Sequence, residues 1–357
     1  MNYINQNIKD LYRVKFHDER DNILRLDMNE NPQGLPADFV ECVKTKITPQ
    51  LIARYPEKDR LADMLAEHNN ISADNISITC GSDEAMRLIF QCFGESGKEL
   101  LTVTPTFEMY DIYAKMFGMT HLIAEYNSDF TLDKAHFLSQ ITENTGIIVL
   151  LNPNSPIGEC WSEEDATEII EKASAVGAIV VVDEAYHYFY SHSFIGMLEK
   201  YDNLIILRTF SKLFSCAGLR IGYACASKEI IHYIENAEST FNVNNIAILF
   251  AEELLKSPEM ISELVRIEKE GREWLTNELK SEGYDVISKE GNYVLVKPIK
   301  TSNDIVAMLK ERKIWIRDYS RGILAGWIRV STGSKECMQS FLTAFLDIDR
   351  ELKENLI

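Results

Sequence analysis

Short apolar runs alternate with stretches of helical periodicity through the first two thirds of the chain. Several runs are β-branched and apolar throughout, which is typical of strands covered on both faces of a sheet. They are ISIT (76–79), LLTV (100–103), IIVLL (147–151), IVVVD (179–183), LIIL (204–207) and IGYAC (221–225). A helix is predicted at 162–177, which opens with Ser162 and Asp165 in capping-box spacing. The alternation predicts an α/β fold with a mostly parallel, doubly wound central sheet.

The pattern changes near residue 250. A long charged, amphipathic helix is predicted at 258–282, followed by short strands and a terminal helix. These strands are YVLVK (293–297), IWIR (314–317) and WIRVS (327–331). We therefore expect a large α/β domain at 30–255 and a smaller α+β domain at 256–357. The polar segment 1–29 is expected to join the smaller domain.

Composition and charge narrow the class of protein. The chain has 357 residues, of which 46% are hydrophobic and 26% charged, as in folded globular proteins. Its net charge of −18 argues against a nucleic-acid surface, which needs clustered basic residues. No apolar run approaches the roughly 20 residues that span a bilayer, and the N-terminus lacks a signal-peptide pattern. A cytoplasmic protein without a nucleic-acid or membrane partner is expected.

Residues that can bind metals have no ligand-like arrangement. The seven cysteines are scattered without a CxxC pair, so neither a disulfide framework nor a zinc site is indicated. The histidines, including His187 beside the run 179–183, also lack such spacing. No metal is predicted.

Polar groups follow several predicted strands, at the edge where open α/β sheets bind ligands. ISIT is followed by CGSDE (80–84), a glycine turn into a helix whose backbone N–H groups can hold a phosphate. Asp183 ends IVVVD, and Lys212 follows LIIL with Arg220 eight residues later. Each feature alone has an ordinary interpretation: a turn, a helix cap or a surface lysine. No GxGxxG occurs, which counts against a nicotinamide or flavin Rossmann site.

In combination these groups fit pyridoxal phosphate. That cofactor needs a lysine for covalent attachment, an anion beside its pyridine nitrogen and a phosphate cradle. A phosphate-binding turn, an aspartate, a lysine and an arginine occur here in order. The cofactor prediction depends on these four features occurring together.

The motifs extend over nearly the whole chain. They are LDMNENP (26–32), RYPE (54–57), GSDE (81–84), PTFEMY (105–110), PNSPIG (153–158), DEAYHYF (183–189), RTFSK (208–212), AGLRIGY (217–223) and IRVSTG (328–333). In this order they resemble fold-type I pyridoxal-phosphate enzymes of the class I/II aminotransferase group, and most closely the histidinol-phosphate aminotransferase family. The resemblance implies a fold-type I transferase fold and an aminotransferase activity.

The resemblance also implies roles for individual residues. Lys212 would bind the cofactor and move a proton between the substrate Cα and cofactor C4′. Asp183 would pair with the pyridinium nitrogen, Tyr186 would hydrogen-bond the ring oxygen O3′, and Phe107 would stack on the ring. Residues expected at the phosphate are Ser82, Asp83, Thr209, Ser211 and Arg220. Tyr55 would reach the phosphate of a neighbouring subunit, which implies a homodimer with a shared active site.

Substrate residues are implied in the same way. Arg329 would bind the acidic group of the substrate, and Tyr12 is a further substrate contact. Arg317 would bind a substrate phosphate, with a plain surface salt bridge as the alternative. The expected reaction transfers an amino group from histidinol phosphate, or a related phosphorylated or aromatic amine, to 2-oxoglutarate by a ping-pong mechanism. A decarboxylase resembling threonine-phosphate decarboxylase is the alternative. A non-enzymatic module with this fold is disfavoured, because Lys212 is retained and no helix-turn-helix pattern is evident.

The loop LNPNSPIGE (151–159) departs from the family pattern PNNPTG at two positions, Ser155 and Ile157. In the family, the asparagine before the second proline donates to the ring oxygen, and Ser155 occupies that position. A serine hydroxyl can donate but is shorter, so a bridging water or a rotated Asn154 is expected to assist. We expect a working site whose ring-oxygen contact rests mainly on Tyr186.

Overall fold

A computed structural model of the protein describes residues 4–12, 19–298 and 302–354. These ranges contain two β-sheets and the helices that cover them. The strands are β1 (Leu24–Leu26), β2 (Ile76–Thr79), β3 (Glu99–Thr104), β4 (Thr120–Glu125), β5 (Thr145–Leu151), β6 (Ile179–Asp183), β7 (Leu204–Thr209), β8 (Gly222–Ala226), β9 (Asp285–Ile287), β10 (Tyr293–Lys297), β11 (Ile314–Asp318) and β12 (Ile328–Ser331). The helices are α1 (Gln6–Lys9), α2 (Ala37–Lys44), α3 (Pro49–Ala53), α4 (Asp59–Asn69), α5 (Gly81–Phe93), α6 (Met109–Phe117), α7 (Lys134–Ser139), α8 (Glu163–Ala175), α9 (Lys228–Ala237), α10 (Asn245–Leu255), α11 (Pro258–Ser281), α12 (Ser302–Glu311) and α13 (Lys335–Glu354). No described helix combines the length and the apolar composition needed to span a membrane.

The larger sheet has seven strands in the order β2-β8-β7-β6-β5-β3-β4. Strands β3 to β7 run parallel, and β8 is antiparallel to both of its neighbours. Central strands β6 and β7 are buried along almost their whole length, as their continuous apolar sequences predict. All six strands predicted for this region are present, so the mostly parallel α/β sheet is confirmed.

Helix α8 begins where its sequence signal predicts. The Ser162 side chain accepts a hydrogen bond from the Asp165 backbone N–H, and the Asp165 carboxylate accepts one from the Ser162 N–H. This reciprocal capping box satisfies two N–H groups that the first turn would otherwise leave without partners. The helix is thereby fixed directly after the loop that contains Ser155.

The smaller sheet has five strands in the order β1-β11-β12-β10-β9. Strand β1 pairs parallel with β11, whereas the other pairs are antiparallel. Its inner face packs on α11, α12 and α13 through a hydrophobic cluster that is separate from the main core and includes Leu26, Leu275, Ile316 and Phe341. A second, smaller α+β unit is therefore present, as predicted.

The N-terminal segment is divided between the two units. Strand β1 joins the smaller sheet, as expected, but helix α1 contacts α6 beside the larger sheet. This differs from the expectation that the entire segment before Leu26 lies against the smaller sheet. Residues 27–29 then lead away from the end of β1 and reach the carboxyl ends of the large-sheet strands.

Candidate active site

Lys212 lies in the loop after β7, on the side of the large sheet where β6 also ends. Its Nζ donates a hydrogen bond to the Met28 carbonyl at 3.0 Å and lies 5.7 Å from the centre of the Tyr186 ring. The side chain is half-buried. Its amine therefore faces both Tyr186 and the segment that arrives from the smaller sheet, and it is reachable by a ligand.

Asp183 is the last residue of β6, and its carboxylate is buried. It accepts hydrogen bonds from the Tyr110 hydroxyl at 2.9 Å and the Ala185 N–H at 3.1 Å. Burial raises the pKa of Asp183 to about 6, while the two hydrogen bonds and the charge of Lys212 act in the opposite direction. A carboxylate in such a dry pocket gains much from a cationic partner, which a protonated ring nitrogen would supply.

Tyr110 was not predicted as a site residue, although it lies in the motif PTFEMY. It is fully buried, and burial together with the neighbouring Asp183 carboxylate raises its pKa well above the ordinary value. Its hydroxyl therefore stays a hydrogen-bond donor to Asp183. The contact joins residues 73 positions apart in the chain, so no local sequence signal could have identified it.

A group of donors converges at the N-terminus of α5, near the ends of β7 and β8. Helix α5 has no side-chain cap, so the backbone N–H groups of its first turn are available to an anion. Close by, the Thr209 hydroxyl donates to Ser211 Oγ at 2.9 Å, and Arg220 Nη1 donates to the same oxygen at 3.4 Å. These are donor types that bind phosphate.

Two glycines and an unusual arginine keep this cradle open. A Cβ on Gly81 would lie 2.5 Å from Arg220 Nη2, and a Cβ on Gly222 would lie 2.6 Å from the Ser82 backbone nitrogen. Arg220 itself has a left-handed backbone with φ of 55°, which is uncommon for a residue other than glycine. The Asp83 side chain is fixed by the Tyr113 hydroxyl, which donates a hydrogen bond to its carboxylate at 2.8 Å. The predicted phosphate residues are thus brought together, and the space fits the group.

Phe107 and Tyr55 are both accessible aromatic rings. Phe107 is 46% exposed and stands edge-on to Tyr110, with 5.6 Å between ring centres. Its position next to the Asp183 partner agrees with a ring-stacking role. Tyr55 is 71% exposed and stacks on Phe241 at 4.1 Å between ring centres. Its contact with a neighbouring subunit stays a prediction.

Arg317 and Arg329 are directly opposite each other on the antiparallel strands β11 and β12. Like charges in this position are destabilising unless another charge compensates. Arg317 Nη2 binds the Glu108 carboxylate at 2.9 Å, which is the salt-bridge alternative for this arginine, although the sequence did not indicate its partner. Arg317 is therefore compensated in part by a large-unit residue.

Arg329 has no carboxylate partner within the described ranges. It donates to the Asp27 carbonyl at 2.6 Å and to Ser155 Oγ at 3.4 Å, and its buried Nε has no hydrogen-bond partner there. A buried donor of this kind favours an anionic ligand. Tyr12 is 77% exposed, and its role as a substrate contact stays a prediction.

The loop between β5 and α8 places Ser155, and not Asn154, beside Tyr186. The Asn29 side-chain amide donates to Ser155 Oγ at 3.3 Å and to the Tyr186 hydroxyl at 2.8 Å. Asn154 is fully buried and engaged elsewhere: its amide donates to the Pro105 carbonyl at 2.9 Å, and its Oδ1 accepts from the Thr106 hydroxyl at 2.7 Å. The expectation that Asn154 could rotate to assist is therefore wrong.

The second departure from the family pattern has a different explanation. Ile157 is 1% exposed and belongs to the main hydrophobic core. The apolar side chain at this position packs in the core, so the replacement of the usual threonine affects core packing. Only Ser155 bears on the site.

Known proteins with similar sequences and folds agree with this geometry. The family model for aminotransferase class I and II matches residues 21–345. A histidinol-phosphate aminotransferase of Caldanaerobacter subterraneus subsp. tengcongensis is 35% identical over 335 residues, which cover 91% of this chain and 92% of that protein.

Solved structures share the fold across nearly the whole chain. The histidinol-phosphate aminotransferase of Sinorhizobium meliloti in complex with pyridoxal-5′-phosphate is 22% identical, with a TM-score of 0.88 and coverage of 99% of both chains. The L-threonine-O-3-phosphate decarboxylase of Porphyromonas gingivalis is 24% identical, with a TM-score of 0.77 and coverage of 91% of this chain and 99% of that one. Because both chemistries occur on this fold, the fold alone does not separate them. The predicted fold type and the pyridoxal 5′-phosphate cofactor are confirmed, and the chain belongs to the class I and II aminotransferases.

Proposed function

We propose that this aminotransferase transfers an amino group from histidinol phosphate, or from a closely related phosphorylated amine, to 2-oxoglutarate. The observation that carries the proposal is the cross-strand pair Arg317 and Arg329. A bound anion would offset the repulsion between the two guanidinium groups. Relatives that are named for histidinol phosphate support a phosphorylated donor.

The segment 27–29 connects Arg329 with Lys212. Arg329 donates to the Asp27 carbonyl, and Lys212 donates to the Met28 carbonyl one residue further on. An acidic group held by Arg329 would therefore orient the rest of a substrate toward the Lys212 amine. Positioning of this kind lowers the entropic part of the barrier.

Pyridoxal phosphate, when bound, supplies an aldehyde carbon, C4′, that takes up the amino group, and an electron-withdrawing ring that stabilises negative charge at the substrate Cα. The residues of the chain provide the rest. Asp183 would hold the proton on the ring nitrogen, and the phosphate cradle around Arg220 would anchor the group. Lys212 Nζ would take the proton from the substrate Cα and return it at C4′, as general base and then general acid.

A ping-pong sequence follows if donor and acceptor share Arg329. The acidic group of the amino donor and that of the oxo-acid acceptor would both bind this residue, so one must leave before the other binds. The reaction would then divide into two half-reactions, each with the same proton transfer by Lys212.

A homodimer is part of the proposal. Tyr55 and Phe241 form a stacked pair on the surface, with exposures of 71% and 49%, and Ile52 nearby is 66% exposed. Exposed apolar groups of this size favour burial against another protein surface. A second copy of the chain would cover them and bring Tyr55 to the phosphate of its neighbour.

The proposal is tested with a panel of amino donors against 2-oxoglutarate. Histidinol phosphate should give the highest kcat/KM, histidinol without its phosphate should react far more slowly, and Lys212→Ala should be inactive. Equal rates with and without the phosphate would refute the donor assignment. Release of carbon dioxide without a need for an oxo acid would instead favour the decarboxylase alternative.

A further inference from the structure

Asn29 lies at the centre of the contacts around Tyr186, although the motif LDMNENP gives it no obvious role. It is 1% exposed and has a left-handed backbone with φ of 55°. Asparagine tolerates this conformation better than most residues do. The position therefore suits a buried side chain with a specific polar contact.

The orientation of the Asn29 amide is fixed by Ser331 on β12. The Asn29 backbone N–H donates to Ser331 Oγ at 2.8 Å, so the serine proton is left to bond Asn29 Oδ1, at 3.2 Å. The amide oxygen must then face Ser331 and the NH2 group must face the opposite side. The Asn292 amide fixes the backbone as well, by donating to the Asn29 carbonyl at 3.1 Å.

The NH2 group, so oriented, has two hydrogens and two hydroxyl partners, Tyr186 and Ser155. Because the Tyr186 oxygen accepts a proton from Asn29, its own O–H is left to donate to another acceptor. Without the Asn29 contact, the Tyr186 O–H could rotate between different acceptors. The hydrogen bond from Asn29 restricts this rotation. The amide thus determines in which direction the Tyr186 proton points.

Ser155 leaves a gap that Asn29 fills. Its Oγ lies 3.3 Å from the Asn29 amide, so a longer side chain at 155 would extend toward the space that this amide occupies. Asn154 cannot compensate, because Pro105 and Thr106 hold both ends of its amide. The Asn29 amide, from a distant segment of the chain, therefore lies where the side-chain amide of an asparagine at 155 would be expected.

We propose that Asn29 is a positioning residue that replaces the amide absent at position 155 and holds the Tyr186 hydroxyl as a donor to the ring oxygen of the cofactor. This rests on the proposed placement of Tyr186 at that oxygen. A donor to the ring oxygen draws away electron density that would otherwise hold the proton shared with the Lys212 nitrogen. Asn29 therefore lowers the pH at which the protein-bound cofactor loses that proton.

The test is an absorbance titration of the holoenzyme, which follows the visible band of the bound cofactor against pH. Asn29→Gly removes the amide and keeps a residue that accepts the left-handed backbone. Loss of one hydrogen bond should raise the titration midpoint by about 0.5 to 1 pH unit. Asn70→Gly is the matched control, since Asn70 is an exposed asparagine with φ of 54° at the end of α4, and its midpoint should equal that of the wild type.

Two further variants keep the test decisive. Asn29→Asp has nearly the same size, but its carboxylate would accept the Tyr186 proton, so the midpoint should rise further than in Asn29→Gly. Adding Ser155→Asn to Asn29→Gly returns an amide from the other side and should bring the midpoint back toward the wild-type value. The neighbouring titratable groups are unchanged in every variant: Lys212, Tyr110, Tyr293 and Tyr319.

The outcomes separate this proposal from the substrate assignment. If neither Asn29→Gly nor Asn29→Asp moves the midpoint in an enzyme that transaminates, the role of Asn29 is refuted and the proposed function stands. A shifted midpoint with rescue by Ser155→Asn supports the role of Asn29 even if histidinol phosphate proves not to be a donor. A shift without rescue would mean that Asn29 acts only by holding the backbone, which overturns the replacement of the missing amide.

Discussion

Tyr110→Phe provides the sharpest test of the electrostatics around Asp183. The substitution removes a hydroxyl that donates to the buried carboxylate at 2.9 Å and leaves the ring in place. A hydrogen bond to a charged group contributes about 1.5–3 kcal/mol, which corresponds to about one to two pKa units. The pKa of Asp183, already raised by burial to about 6, should therefore rise further in the cofactor-free protein.

The sign of the effect on stability follows from proton binding. A carboxyl group whose pKa is raised by folding keeps its proton over a pH range in which the unfolded chain has lost it. The free energy of unfolding then falls as the pH rises from the ordinary value of 3.8 through about 6. In Tyr110→Phe the fall continues to higher pH, so the variant should lose about 1.5–3 kcal/mol more at alkaline than at acidic pH.

Urea unfolding of the cofactor-free protein at about pH 5 and about pH 8.5 measures this difference. Tyr113→Phe is the control, because it removes a hydroxyl from the same helix whose partner is Asp83. A destabilisation of Tyr110→Phe that is equal at the two pH values would refute the reasoning. It would mean that the hydroxyl does not favour the ionised form of Asp183.

Three further predictions concern the substrate pair, the dimer and the buried carboxylate of Glu268 on α11. Arg317 binds the exposed Glu108 carboxylate in the free protein, so this carboxylate would compete with a substrate phosphate. Glu108→Gln should therefore lower the KM for a phosphorylated donor in steady-state kinetics, and Arg317→Gln should raise it. Equal changes in the KM for 2-oxoglutarate would contradict a phosphate role for Arg317. Tyr55→Ala should release the cofactor faster on dialysis than the wild type, with an unchanged circular dichroism spectrum, whereas equal retention would argue against its contact with a neighbouring phosphate. Burial raises the pKa of Glu268 to about 7, so the free energy of unfolding should fall as the pH rises from 4.5 through about 7. Glu268→Gln should flatten this pH dependence in urea unfolding. The same pH dependence in the variant and the wild type would contradict the raised pKa of Glu268.

The central strands could be read from the sequence because burial on both faces requires continuous apolar runs. Strand β4, with the sequence THLIAE, could not, since only Ala124 is fully buried at that edge of the sheet. The antiparallel direction of β8 was also inaccessible. Its residues are as apolar as those of its parallel neighbours, and direction depends on how the chain connects the strands.

The site shows the same limit. Residues in local motifs, such as Lys212 and Asp183, could be identified because cofactor chemistry prescribes their types and spacing. Their partners could not, because Tyr110 and Asn29 reach the site through contacts 73 and 157 residues distant in sequence. A polar residue near the start of the smaller sheet carries no local sign that it faces a tyrosine of the larger one.

The left-handed backbone of Arg220 has a consequence for how this protein can evolve. A residue with a side chain in this conformation costs of order 1 kcal/mol or more, which glycine would relieve. The same replacement would delete a guanidinium from the phosphate cradle. Selection for thermal stability alone would therefore favour glycine at 220, whereas selection for cofactor retention opposes it. The most stable residue at 220 is therefore not the one that best retains the cofactor. A stabilised variant obtained by random mutagenesis should be tested first for whether it still binds the cofactor.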